Sequence, residues 1–188
     1  MNRTLASLLL VLVGACTGQL DTGTGPGGPT GPSGTEPDAG TTPTPTTPDA
    51  PPTATPLEIL GQWSGCITLQ NFQAANMAQA WGTMAASNNQ LCRNCHGVGD
   101  FGFIATNDEN LFYTTMTEHS AYLVKFFSLQ GSDVVVNTGS VANAATTLVG
   151  HPRFDPVNNP GMLALQKLYT DTKALKDANT CEPSRLKD

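Results

Sequence analysis

The chain has 188 residues, a net charge of −6 and five cysteines. That length is room for one domain with appendages. With fifteen acidic side chains against nine basic ones, it lacks the cationic surface that phosphate binding needs, so nucleic acid is excluded as a partner.

The first fifteen residues read as a secretory signal. Arg3 supplies the positive start, and Leu5 to Val13 form an apolar stretch too short for a permanent transmembrane helix. The stretch ends in Val13-Gly14-Ala15-Cys16, which resembles a bacterial lipobox, the site at which a lipoprotein signal is cleaved before a lipid-modified cysteine. That family most often has Leu three places before the cysteine, where this chain has Val13. The resemblance implies that Cys16 carries acyl chains that anchor the protein to the cell envelope, two or more chains being enough for stable attachment. Thr17 is not the Asp that signals inner-membrane retention in some bacteria, which favours the outer membrane. The alternative is an ordinary signal peptide with an incidental cysteine.

Residues 16–56 are then nearly all Thr, Gly, Pro, Ser, Ala and Asp, most densely at Thr41 to Pro48. Such a segment has no apolar surface to offset its ordering entropy, so the composition predicts a disordered tether. Everything that can fold lies in residues 57–188, which hold both Trp, all Tyr, all Phe and all His. The expected fold class is all-α: a small helical domain with long loops.

Phe72, Ala75, Ala78, Trp81 and Ala85 recur at helical spacing and predict a first helix over 68–87, stopped at Ser87-Asn88-Asn89. Tyr122, Phe126 and Leu129 predict a second helix over 118–129, ended by Gly131. Val134-Val135-Val136 is a short β-prone run. Asn159 as N-cap and Pro160 at the first helical position open a third helix, which runs to about Ala178. The rest reads as loop. Asp108 and Glu109 are expected to cap a solvated turn, and Trp63 and Trp81 to lie in the core.

Between the first two helices stands Cys92-Arg93-Asn94-Cys95-His96, a C-x-x-C-H sequence and the attachment signature of c-type haem. The spacing has a physical reason. Two thiols form thioether bonds to the two haem vinyl groups, two intervening residues let one turn span the ring edge, and the adjacent His binds the iron from one face. Glycines at 97, 99 and 102 let the backbone run close to the macrocycle. Three other readings compete: a thiol redox pair, half of a zinc site, and a chance occurrence. A thiol redox pair usually opens a helix after a strand, whereas this motif follows a helix. A closed zinc shell needs a second ligand pair, and none stands at zinc-site spacing.

Assigning Cys16 to lipid and Cys92 and Cys95 to haem leaves Cys66 and Cys181, one near each end of the domain. We expect them to form a disulfide, the alternative being two buried free thiols.

The region from about 66 to 178 is similar to small class I cytochrome c domains. The pentapeptide carries that resemblance, supported by the order of helix, motif, loops and terminal helix. It departs from the family in having the first helix wholly upstream of the motif and a long segment between helices. The resemblance implies haem c as cofactor, His96 as proximal ligand and a Met or His on the far face, in a loop shortly before the last helix. His151, in Gly150-His151-Pro152-Arg153-Phe154, fits that placement best, and Met162 is the runner-up. Met116, His119 and an open position stay as alternatives. Arg153 is a candidate partner for a haem propionate, or else a solvated loop charge.

The implied function is one-electron transfer by a lipid-anchored monohaem cytochrome, with a redox protein and the membrane as partners. A haem-based ligand sensor with an open or weakly held sixth position is the alternative. No Gly-x-Ser-x-Gly or His-Glu-x-x-His is present, and the carboxylates are scattered, so no enzyme is expected.

Overall fold

A computed structural model describes residues 54–188, which are mainly helical with one small hairpin. The signal, Cys16 and nearly all of the tether lie outside the described residues. The folded region begins slightly earlier than residue 57. Helix α1 spans Pro56–Cys66 and opens on a capping box: the Thr55 hydroxyl accepts from the Glu58 N–H, and the Glu58 carboxylate accepts from the Thr55 N–H. Pro56 fills the first helical position, where its missing N–H costs nothing.

The single helix expected over 68–87 is two short ones, α2 at Leu69–Ala74 and α3 at Met77–Gly82. Asn76 sits between them with a left-handed φ of 58°. That break lets Phe72 and Trp81 both reach full burial on differently aimed segments. The one-turn helix α4 covers Arg93–His96, and a 3-10 turn follows at Asp100–Gly102. Helix α5 at Glu109–Glu118 stands where a loop is expected, and Asp108 caps it by accepting from the Leu111 N–H at 3.0 Å.

The helix expected over 118–129 ends early. Helix α6 is Ser120–Phe126, and the chain then turns into strand β1, Phe127–Gln130. This strand pairs antiparallel with β2, Asp133–Val136, setting Phe127 against Val136 and Leu129 against Val134. The β-prone valines thus draw the end of the helical pattern into a hairpin, with Gly131 at φ 64° in its turn. Helix α7, Thr138–Thr146, is a second helix standing in place of expected loop. Helix α8, Pro160–Asp177, opens on the expected Asn159 cap, which accepts from the Met162 N–H at 2.9 Å.

Helix α8 packs along α3 and α1 and closes the core around Trp63, Trp81, Phe72, Phe112 and Phe126. The Cys66–Cys181 disulfide is formed, and it starts a C-terminal strap laid back over α1. The Glu182 N–H donates to the Gly65 carbonyl, the Arg185 N–H to the Ser64 hydroxyl, and the Lys187 N–H to the Glu118 carbonyl. Among the described residues, no helix is long and apolar enough to cross a membrane.

The α8–α3 contact has no slack. A Cβ at Gly161 would lie 2.6 Å from Trp81 Cδ2, and the indole is 1% exposed with nowhere to move. We expect Gly161→Ala to destabilise the fold by about 1–3 kcal/mol through overpacking. Thermal unfolding of the variant checks this, and an unchanged midpoint would sink it.

Candidate functional site

Residues before the motif set its place. The Cys92 N–H donates to the Met84 carbonyl at 3.0 Å, and Ala85 bridges Leu91. The turn between them is closed by the Ala86 N–H on the Gln90 carbonyl, with Asn89 left-handed at φ 63°. The Cys95 and His96 N–H groups then both donate to the Cys92 carbonyl, at 3.2 and 3.0 Å. This winds a single helical turn that brings Cys92, Cys95 and His96 to one wall of a cavity of about 370 Å³. Cofactor pockets typically measure about 300–1,000 Å³.

The rest of the wall is largely apolar. Trp81 and Met84 come from α3 and its exit, Phe101 and Phe103 from the 3-10 turn and its exit, and Val141 and Ala144 from α7. The segment Leu148 to Phe154 completes it and contributes His151. This segment is tied to the motif side by one backbone bond, the Ser87 N–H donating to the Arg153 carbonyl at 2.7 Å. Phe154 adds packing against the core.

The two histidines form a matched pair. Their ring centroids are 6.2 Å apart and their planes 33° from parallel. His96 Nδ1 lies 3.0 Å from the Asp100 carbonyl, and His151 Nδ1 lies 2.9 Å from the Pro152 carbonyl. A carbonyl can only accept, so each Nδ1 is the donor. Histidines that bind a metal through Nε2 are commonly held this way by the other nitrogen. Burial lowers the His96 pKa and the Asp100 carbonyl opposes that shift, so the ring is neutral and suited to ligation at pH 7. Two imidazoles gripping one ion from opposite sides, with bonds of about 2.0 Å, have centroids about 6 Å apart. The observed spacing leaves room for one metal ion between the two rings. Burial pushes the Cys92 thiol above its ordinary pKa, which keeps it protonated and quiet until it is used.

A planar, largely apolar cofactor with two vinyl groups and one iron fits this donor set: two thiols, two imidazoles and a cavity lined mostly by hydrocarbon. Among the described residues, no three His, Cys, Asp or Glu side chains come together as a closed zinc shell requires.

The other distal candidates stand elsewhere. Met162 is 1% exposed on α8 and Met116 is fully buried on α5, both in the core rather than on the cavity wall. His119 is exposed at the α5–α6 junction. Arg153 is exposed and does not line the cavity, whereas Lys125 on α6 does. Reading the sequence missed Lys125 and also Met84, eight residues before the motif. Neither carries a local signal, because both reach the cavity through the tertiary fold. Compared with models of known protein families, with curated proteins and with solved structures, the chain matches none.

Proposed function

We propose that this protein is an exported, lipid-anchored monohaem c-type cytochrome that passes single electrons at the cell envelope. Cys92 and Cys95 would hold haem c covalently, His96 would be the proximal ligand and His151 the distal one. The observation that carries the reading is the histidine pair, with rings 6.2 Å apart and both Nδ1 atoms committed to backbone carbonyls.

Bound haem supplies an iron that changes oxidation state by one electron. The chain's own part is to hold and insulate it. The two thioether-forming cysteines fix its edge. The two imidazoles would ligate the iron, and a second His in place of Met would favour a low reduction potential. Phe103, Trp81 and Val141 line the cavity with apolar surface. Lys125 offers a cation for an acidic haem substituent.

Haem staining after denaturing electrophoresis tests this directly, because only covalently attached haem survives it. We expect a stained band from the protein expressed with a haem-attachment system, and none from Cys92→Ala/Cys95→Ala. An unstained wild-type band would overturn the proposal. Anchoring is tested separately: Cys16→Ala should move the protein from the membrane to the soluble fraction.

A further inference from the structure

We infer that Tyr122 is a positioning residue for the proximal imidazole, acting through the loop that follows the motif. The inference rests on the reading of His96 as an iron ligand. It starts from an oddity of the backbone. For the Asp100 carbonyl to return to the ring of His96, the chain must reverse within three residues. Gly99 makes that reversal at φ 92°, and the chain leaves the loop through two further left-handed residues, Phe101 at 58° and Gly102 at 67°. Glycine adopts such angles freely, but Phe101 carries a Cβ and is strained there. Phe101 is also 58% exposed, so burial does not offset the strain. A loop of this kind persists only where its surroundings hold it, and held strain clusters at functional positions.

The hold comes from α6. The Tyr122 hydroxyl donates to the Gly99 carbonyl at 2.8 Å. That carbonyl belongs to the peptide leading into Asp100, whose own carbonyl accepts from His96 Nδ1 at 3.0 Å. The seat is closely fitted, since a Cβ at position 99 would lie 2.9 Å from the Tyr122 hydroxyl and 3.2 Å from its ring. Tyr122 is itself fixed, because its helix is sunk in the core through the fully buried Leu123 and Phe126. The loop also ties to the His96 carbonyl, through the Gly99 and Ala105 N–H groups. The ring itself packs edge-on against Phe101 and Phe103 and meets the Phe103 backbone, so the Asp100 carbonyl is one of several contacts that set its orientation. Tyr122 is the side chain that carries the rigidity of the core to that carbonyl.

Orientation and donor strength follow from this hydrogen bond, which makes the imidazole a better electron donor to the metal and favours the oxidised ion. Tyr122→Phe removes the hydroxyl and keeps the ring. In the haem-loaded full chain we expect the variant's oxidised-to-reduced ratio, at a fixed applied potential, to fall at least threefold. The anisotropy of the low-spin electron paramagnetic resonance signal should change with it. In the haem-free full chain at about pH 8, where neutral imidazole prevails, nitrogen NMR of wild-type His96 should show the Nδ1–H tautomer. Tyr122→Phe should show a tautomer mixture. The tautomer result does not depend on haem, so it tests Tyr122 even where the cytochrome reading fails. A variant with a lower melting temperature but unchanged ratio, resonance signal and tautomer would overturn the inference and leave Tyr122 a structural residue. If Tyr122→Phe does not fold, Tyr122→Leu, which removes the hydroxyl and leaves the loop backbone unaltered, carries the same readouts.

Discussion

Haem-loaded His151→Ala is expected to bind carbon monoxide when reduced about 100-fold more tightly than the wild-type protein. The estimate follows from competition. A distal ligand in place 99% of the time leaves about one molecule in a hundred able to accept another ligand, and apparent affinity falls by that factor. Alanine removes the competitor and leaves the proximal side intact, because His96, its Asp100 carbonyl and the cysteines lie on α4 and its following turn. The oxidised variant should also shift from a low-spin to a high-spin absorption spectrum. Optical titration of the reduced protein with carbon monoxide reads the affinity, and the absorption spectrum of the oxidised protein reads the spin state. Equal affinity in the two proteins would mean that His151 does not ligate, and would move the reading toward a haem that senses or carries small ligands. Met84 then becomes the residue to examine, since it lines the cavity and carries a sulfur.

Removing the disulfide with Cys66→Ser/Cys181→Ser is expected to cost about 5 kcal/mol of stability. The bond joins residues 115 apart, and closing a loop of that size restricts the unfolded chain by about this much in the chain-entropy model. For a domain whose total stability is about 5–15 kcal/mol, that is a large share. Denaturant unfolding of oxidised, reduced and substituted protein measures it. The absorption spectrum of the folded variant should not change, since neither cysteine lines the cavity. A loss below about 1 kcal/mol would show that the hydrogen bonds of the strap to Gly65, Ser64 and Glu118 already account for its docking.

Much of the site was legible because it is local. Cys92, Cys95 and His96 are one turn of chain, and Asn159-Pro160 opens a helix by its own chemistry. His151 was singled out by its position before the last helix and does line the cavity, whereas α8 turns Met162 into the core. The misses have distinct causes. Helix α1 announces itself by Thr55-Pro56-Leu57-Glu58, a capping box with proline at the first position, but the Thr- and Pro-rich composition running up to it masked that signal. Helix α7 has only Val141 and Ala145 to bury, so it carries no apolar stripe to read. The overrun of the second helix came from Leu129, which satisfies a helical spacing and a strand alternation alike. Its pairing with Val134 across the hairpin decided between them. The break at Asn76 is a tertiary choice, made so that Phe72 and Trp81 can both be buried.

The cavity wall and the closing strap draw on separate stretches of chain. Every residue lining the cavity falls between Trp81 and Phe154, whereas the disulfide joins positions 66 and 181, outside that interval on both sides. Trp81 is the main point of overlap, with one face on the cavity and another against Gly161. Changes in α1, α8 and the strap bear on the fold rather than the cavity wall, and changes at the lining residues bear on what the cavity can hold. A lineage of such proteins would be expected to vary widely in its outer frame while Trp81 and Gly161 change only together.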